Sequence, residues 1–156
     1  ISLPPYRYGG DGVAQLFGNT LDPAADPYYA TIAHLRVSAH FFIRRDGSLL
    51  QFVSTRQRAW HAGVSQWRGR ERCNDFSIGI ELEGSDDVPF GPAQYTALKE
   101  LVAALQKFHP SSAYAGHSDV APGRKTDPGI HFEWERFAQD ANIPTRQLPY
   151  GLQNRN

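Results

Sequence analysis

The sequence is poor in several features that would each indicate a particular class of protein. It has a single cysteine, Cys73, so no disulfide forms within the chain and a disulfide-rich secreted scaffold is excluded. It has no run of about 18 apolar residues, which is the length a membrane-spanning helix needs. Its 16 Lys and Arg balance its 16 Asp and Glu, so no net charge attracts nucleic acid or an acidic membrane surface. We therefore expect a cytoplasmic protein that binds neither nucleic acid nor membrane.

Methionine is absent as well, which bears on how the chain begins. The opening segment 1–5 reads like the exit from a β-strand, so we expect a truncated or processed N-terminus. The 156 residues, 40% hydrophobic and 21% charged, suit one domain with an ordinary core. We expect that domain, acting as a monomer, to cover residues 1–137. Residues 138–156 are rich in polar residues, Pro and Gly, and predict a flexible tail.

Three stretches predict helices. Asp26-Pro27 is typical of a helix start, because Asp caps free backbone amides and Pro suits the first helical position. Apolar residues recur at helical spacing over 95–108, until His109-Pro110 ends the pattern. A last, short helix is predicted at 132–137.

Strand patterns lie between these helices. Segments 39–43 and 48–53 flank Asp46-Gly47, which predicts a β-hairpin whose two turn residues both have positive φ. Segment 76–83 alternates apolar and polar residues, so Glu81 faces away from the apolar side of that strand. The alternation of strands and helices favours an α/β fold with a mixed sheet flanked by helices.

The loop GHSDVAPGRKTDPG, residues 116–129, concentrates side chains that suit catalysis, namely His117, Asp119, Lys125 and Asp127. His and Asp are good zinc ligands, and a catalytic zinc takes about three protein ligands and activates a water molecule that can attack an amide. Lys125 would suit stabilisation of the resulting oxyanion, and a carboxylate such as Glu81 would suit proton transfer. The loop alone leaves a second interpretation open, a surface turn whose aspartates cap backbone amides.

Two further segments join this loop in a resemblance to a known family. IAHLRVSAHFFIRRDG, QRAWHAGVSQWRGRERCNDFSIGIELEG and GHSDVAPGRKTDPG together resemble the AmpD-type anhydro-N-acetylmuramoyl-L-alanine amidases. These belong to a wider family that includes phage amidases and peptidoglycan recognition proteins. The resemblance runs from Ile1 to about Phe137. It implies the amidase-like fold of that family, and a bacterial zinc amidase that cuts muropeptides between the lactyl group of anhydro-muramic acid and L-Ala, in cytoplasmic cell-wall recycling.

The resemblance also implies roles for individual residues. Carried over position by position, His117 and Asp127 are zinc ligands, while Glu81 and Lys125 are catalytic. The positions implied to contact substrate are Arg36, Arg72, Trp60, His61 and Asn74. The family's first zinc ligand is a His in the strand just ahead of the segment that matches Ile1, so we expect the 156-residue chain to bind zinc weakly.

Other interpretations remain open for several of these residues. Some members of the wider family lack a complete metal site, so the rival function is a module that binds muropeptide without cutting it. His34 and His40 are expected to be hydrogen-bonded, partly buried side chains rather than metal ligands. Cys73 is expected to be a small buried hydrophobe rather than a nucleophile. Arg72 and its basic neighbours would ordinarily form a solvated face.

Overall fold

The computed structural model describes residues 1–110 and 113–149. Its elements, in chain order, are α1 (Gly12–Phe17), α2 (Pro27–Ile32), β1 (Phe41–Ile43), β2 (Leu49–Gln51), β3 (Gln66–Trp67), β4 (Arg70–Glu71), a 3₁₀ turn (Cys73–Asp75), β5 (Ile80–Leu82), α3 (Pro92–Gln106), α4 (His117–Val120), α5 (Trp134–Asp140) and a second 3₁₀ turn (Thr145–Gln147). Within these residues, two α-helices precede the five strands and three follow them, so the predicted alternation of strands with helices is wrong, although the chain combines both.

A mixed sheet of three strands, in the order β2-β1-β5, forms the centre of the fold. β1 runs antiparallel to β2 and parallel to β5, so Phe42 lies opposite Leu50 on one side and Glu81 on the other. The chain begins along the outer side of β5. The Ile1 ammonium group donates to the Leu82 carbonyl at 2.8 Å, and the Gly84 amide donates to the Ile1 carbonyl at 2.9 Å.

The predicted hairpin is confirmed, but its turn differs from the expected one. Gly47 has a φ of +86°, whereas Asp46 is not among the residues with positive φ. The Gly47 amide donates to the Arg44 carbonyl at 2.9 Å and closes a longer turn. The two-residue turn with both φ values positive occurs instead at Arg68-Gly69, between β3 and β4, where the sequence analysis predicted no hairpin.

Helices form in all three predicted stretches, although the bounds of two of them differ from the prediction. The Asp26 carboxylate accepts from the Tyr28 amide at 2.8 Å and caps α2. Helix α3 ends at Gln106, shortly before His109-Pro110, and α5 begins two residues later than predicted. Within 1–110 and 113–149, no helix has the length and apolar character needed to cross a membrane.

Buried side chains cover both faces of β1, which is why helices flank the sheet on two sides. Phe41 and Ile43 join a cluster with α3 and α5, whose other members include Tyr95, Leu98, Leu101, Val102 and Phe137. Phe42 faces the opposite side and joins a second cluster with α1 and α2, whose other members include Leu3, Val13, Leu16, Phe17 and Tyr29. This arrangement confirms the predicted fold class and leaves β5 at the edge of the sheet.

The structure contradicts the expected flexible tail over residues 138–149. Ala141, Ile143 and Leu148 are all less than 9% exposed and belong to the cluster around α3 and α5. The Tyr114 amide also donates to the Gln147 carbonyl at 2.7 Å. The prediction failed because a few apolar side chains spaced among prolines are enough to bury this segment. Residues 150–156 lie outside the described residues.

Candidate active site

A cavity of about 1220 Å³ runs along β5, beside the start of the chain. Its polar wall includes Glu81 from β5, His61 and Asn74 from the loops before it, and His117 and Asp127 from the loop at 116–129. Its apolar wall includes Ile80, Leu82, Leu98, Val102, Leu105 and Phe137. Five residues that the sequence indicated for chemistry or substrate binding therefore line one cavity.

Local backbone contacts fix the loop that carries His117 and Asp127. His117 is the first residue of the single-turn helix α4, and the Asp119 carboxylate accepts from the Gly116 amide at 2.6 Å. The Ser118 amide donates to the Asp127 carbonyl at 2.9 Å and joins the two ends of the loop. Asp119 thus acts as a backbone cap, as one of the two sequence interpretations held, while Asp127 remains directed at His117.

The two ring nitrogens of His117 have different partners. Nδ1 lies 3.2 Å from Oδ2 of Asp127, and Nε2 lies 3.0 Å from the carbonyl oxygen of Ala62. The hydrogen bond to Asp127 raises the pKa of His117 against the opposing effect of burial. Burial alone would raise the pKa of Asp127, but the hydrogen bond and charge of His117 lower it. Each group therefore favours the charged form of the other.

This pair fits two positions of a zinc site. In a tetrahedral zinc site the ligand atoms are about 3.3 Å apart, close to the 3.2 Å that separates Nδ1 of His117 from Oδ2 of Asp127. A metal-bound imidazole ordinarily donates its other N–H to a carbonyl or carboxylate, which is the relation of Nε2 to Ala62. Over 1–110 and 113–149, no group of three or more His, Cys, Asp or Glu side chains is arranged to hold a metal.

Glu81 and Lys125 lie at the same site. Burial raises the pKa of Glu81, and Asp127 raises it further, whereas the ammonium group of Ile1, His117 and Lys125 lower it. Such effects require short separations, so these groups share one electrostatic environment. The Lys125 side chain is exposed and is not among the residues that line the cavity. The structure thus brings Glu81, His117 and Asp127 together at one cavity, and the charge of Lys125 lowers the pKa of Glu81.

Trp60 and Asn74 have different surroundings, although both were predicted to contact substrate. The Trp60 ring is 53% exposed and lies beneath the Arg58 guanidinium, at 3.9 Å. Asn74 is buried, and its carboxamide oxygen accepts from the amides of His61 and Ala62 at 3.0 and 2.8 Å. Asn74 lines the cavity, but these backbone contacts occupy its acceptor.

Arg36 and Arg72 do not line the cavity. Arg36 donates to the carbonyls of Ala33 and Leu35 within its own loop, at 3.2 Å each. Arg72 is 70% exposed, and its Nε lies 3.0 Å from Oδ2 of Asp75. No sequence pattern predicts this pairing, in which Asp75 also contacts Arg58 through its other oxygen at 3.1 Å.

The remaining His and Cys predictions have mixed outcomes. His40 is 1% exposed, accepts from the Gly79 amide through Nδ1 and therefore donates to the Gln57 carbonyl through Nε2, which confirms a structural role. Cys73 is buried, as expected of a small hydrophobe. His34 is exposed, so the expectation of a partly buried side chain is wrong there, because the segment after α2 turns into solvent.

His61 packs its ring directly against Gly79, the residue before β5. A Cβ atom added to Gly79 would overlap that ring, so only glycine admits the contact. Nε2 of His61 is buried and has no hydrogen-bond partner among the described residues. Burial, with smaller contributions from His40 and His117, lowers the pKa of His61 to about 4.

We predict a pH dependence of stability from His61. Because its pKa is depressed in the folded state, the unfolded chain binds more protons between about pH 6.5 and 4, and the free energy of unfolding falls as pH falls through that window. In His61→Phe, this fall in the free energy of unfolding should be smaller by on the order of 2–3 kcal/mol, as measured by urea unfolding at several pH values. In the control His34→Phe, which changes an exposed histidine, the free energy of unfolding should fall with pH as it does in the parent. An unchanged pH dependence in His61→Phe would contradict the prediction.

Comparisons with known proteins agree on one family. A family model described as N-acetylmuramoyl-L-alanine amidase matches residues 12–130. The chain is 58% identical over 139 residues to the 1,6-anhydro-N-acetylmuramyl-L-alanine amidase AmpD of Escherichia coli (strain K12), covering 88% of this chain and 76% of that protein. It is 40% identical over 133 residues to the N-acetylmuramoyl-L-alanine amidase AmiD of the same organism, covering 73% and 48%.

Solved structures give the same result. A crystal structure of a selenomethionine derivative of AmpD matches with a TM-score of 0.87 at 56% identity, covering 90% of this chain and 79% of that one. The complex of AmiD from E. coli with the substrate anhydro-N-acetylmuramic acid-L-Ala-D-γ-Glu-L-Lys matches with a TM-score of 0.62 at 38% identity, covering 74% and 52%.

Proposed function

This chain belongs to the N-acetylmuramoyl-L-alanine amidase family, and we propose that as such an amidase it hydrolyses the bond between the lactyl group of anhydro-muramoyl peptides and L-Ala, in the recycling of bacterial cell wall. The similarity to AmpD and to the substrate-bound AmiD supports this substrate class. The observation that carries the proposed site is the His117–Asp127 pair in the wall of a cavity that Glu81 also lines. The single unpaired thiol, Cys73, supports a reducing cytoplasmic location, and we propose a monomer.

The metal of this proposal is zinc, held by Nδ1 of His117 and the carboxylate of Asp127. Bound there, zinc would supply a Lewis acid that activates water at neutral pH. We propose that a histidine ahead of Ile1 supplies the third ligand. The pairing of Ile1 with Leu82 and Gly84 supports this, because it directs that end of the chain along β5, the strand that carries Glu81.

Two residues of the chain would move protons and balance charge. Glu81 has a raised pKa, which suits a carboxylate that takes a proton and later returns it to the leaving amine. The charge of Lys125 acts on Glu81, and the Lys125 ammonium would stabilise negative charge on the oxygen of the attacked carbonyl. The apolar wall formed by α3 and α5 would limit water around these charges and strengthen both interactions.

The proposal is tested by incubating the chain with an anhydro-muramoyl tripeptide and analysing products by mass spectrometry. We expect free tripeptide and anhydro-muramic acid with zinc present, and no cleavage after chelation. Turnover should be slow in the 156-residue form and faster with the residues ahead of Ile1 included. Saturable binding without any product in the longer form would support the rival, a module that binds without cutting. Cleavage that persists after chelation and in His117→Ala would contradict a metal at this site.

We further propose that Arg36 and Arg72 bind the carboxylates farther along the stem peptide. Arginine suits this role because its planar guanidinium can hold a carboxylate through two parallel hydrogen bonds. Replacing Arg72 with Ala should raise KM for the tripeptide substrate by about 10-fold, with zinc content unchanged. A substrate bearing only L-Ala should be much less sensitive. Equal losses on both substrates would contradict this role and indicate that Arg72 supports the fold through Asp75.

A further inference from the structure

Arg124 links the loop at 116–129 to the loop that carries Ala62. Its Nη2 donates to the Ala62 carbonyl at 2.6 Å and to the Val64 carbonyl at 2.8 Å. The Ala62 carbonyl is the same oxygen that His117 reaches through Nε2 at 3.0 Å. A carbonyl oxygen has two lone pairs, so it can accept from Arg124 and from His117 at once. Nη2 and Nε2 are accordingly close, at 3.4 Å.

The backbone between Ala62 and Val64 is shaped to admit the guanidinium. Gly63 has a φ of +59°, which favours glycine. A Cβ atom at Gly63 would lie 3.2 and 3.3 Å from the two terminal nitrogens of Arg124, tighter than ordinary contact. The glycine therefore allows both the turn and the close approach of Arg124.

The Ala62 peptide is also held from its other side. The Asn74 side-chain oxygen accepts from the Ala62 amide at 2.8 Å, and Asn74 is buried in the 3₁₀ turn before β5. The backbone of Ala62 is thus fixed at its N–H by Asn74 and at its carbonyl oxygen by Arg124. The same carbonyl oxygen is the partner of Nε2 of His117.

We propose that Arg124 is a positioning residue for the metal ligand His117, acting through the Ala62 carbonyl. The inference rests on the proposed function, since it takes Nδ1 of His117 as a ligand. A ligand histidine binds metal best when its other N–H has a fixed acceptor that sets the ring orientation, and loss of such a partner typically costs about 10–100-fold in metal affinity or activity. Arg124 sets that orientation without contacting metal or substrate.

The test measures metal binding rather than turnover. Zinc affinity is determined by competition with a weak chelator, and Co²⁺ absorption reports the coordination geometry, both on the purified chain that includes residues ahead of Ile1. Arg124→Ala should weaken zinc binding by about 10-fold and change the Co²⁺ spectrum. Arg124→Lys should recover part of the affinity, because one ammonium can still donate to both carbonyls, whereas Arg124→Gln should recover less. Arg136→Ala, which removes an arginine paired on α5, is the matched control and should bind zinc as the parent does.

A second variant keeps the inference testable if Arg124→Ala does not fold. Gly63→Ala retains the arginine but crowds its guanidinium, so it should weaken zinc binding in the same direction. Parent-like zinc affinity and Co²⁺ spectrum in folded Arg124→Ala, or in Gly63→Ala, would overturn the inference. His117→Ala distinguishes a failure of the proposed function from a failure of the inference about Arg124. If it retains zinc, the proposed function fails, and if it loses zinc while Arg124→Ala does not, only the inference about Arg124 fails.

Discussion

Replacing Asp127 with Ala should remove bound zinc and amidase activity together. In the proposed site this carboxylate is one of three protein ligands, and a zinc with two ligands is open on two sides and weakly held. The change also removes the hydrogen bond and the negative charge that raise the pKa of His117. We expect zinc content by elemental analysis to fall to background in the chain that includes residues ahead of Ile1.

Asp119→Ala is the control for this prediction. Asp119 lies in the same loop, but its carboxylate accepts from the Gly116 amide and caps α4. Its loss should cost about 1 kcal/mol of stability while zinc and activity remain. Full zinc retention in Asp127→Ala, or equal zinc loss in the two variants, would mean that Asp127 lies outside the coordination sphere.

Much of this site was predictable because its chemistry is concentrated in one segment. His117, Lys125 and Asp127 lie within a short loop, and loop closure brings neighbours in sequence together at little entropic cost. The sequence could not separate Asp119 from Asp127 as a ligand by residue type alone. Only the fold shows that one carboxylate is used by a backbone amide and the other is directed at His117.

Other parts depend on long-range contacts that no local pattern reports. Arg124 adjoins Lys125 and looks like a second solvated cation, yet it donates to carbonyls about 60 positions earlier in the chain. The hairpin of β3 and β4 was missed because Arg-Gly is a weak turn signal compared with Asn-Gly or Asp-Gly. The tail was mispredicted because its apolar side chains are few, and their burial depends on space left by α3 and α5.

Glu81 and Glu83 are a further case in which the sequence pattern alone does not distinguish the roles of two carboxylates. They are two residues apart and both on the polar side of the pattern, so the sequence allows either to be the base. In the structure, Glu83 is 2% exposed and its oxygens accept from the amides of Gly9 and Arg45 at 2.6 and 2.9 Å. Glu81 lines the cavity and responds to the charges of His117, Lys125 and Asp127. The two carboxylates therefore have separable roles, one in chemistry and one in folding.

Paired substitutions should separate these roles. Glu81→Gln should lower kcat by about 10²-fold or more, because a general acid–base group typically contributes that much, and it should leave zinc content and KM near those of the parent. It should not lower stability, since burial penalises the ionised carboxylate that the neutral amide replaces. Glu83→Gln should do the reverse. Its amide group would face a backbone donor in place of an acceptor, at a cost of about 1–3 kcal/mol in the free energy of unfolding, with kcat retained in the folded fraction.

Two measurements on each variant decide the matter, single-turnover cleavage of an anhydro-muramoyl tripeptide and urea unfolding. Normal turnover in Glu81→Gln combined with a large loss of kcat in folded Glu83→Gln would transfer the catalytic role to Glu83. That result would be hard to reconcile with the structure, because both oxygens of Glu83 are already bound to backbone amides and its carboxylate is sealed from the cavity. A loss of zinc in Glu81→Gln would instead place Glu81 among the metal ligands, and the third ligand would then come from β5 rather than from residues ahead of Ile1.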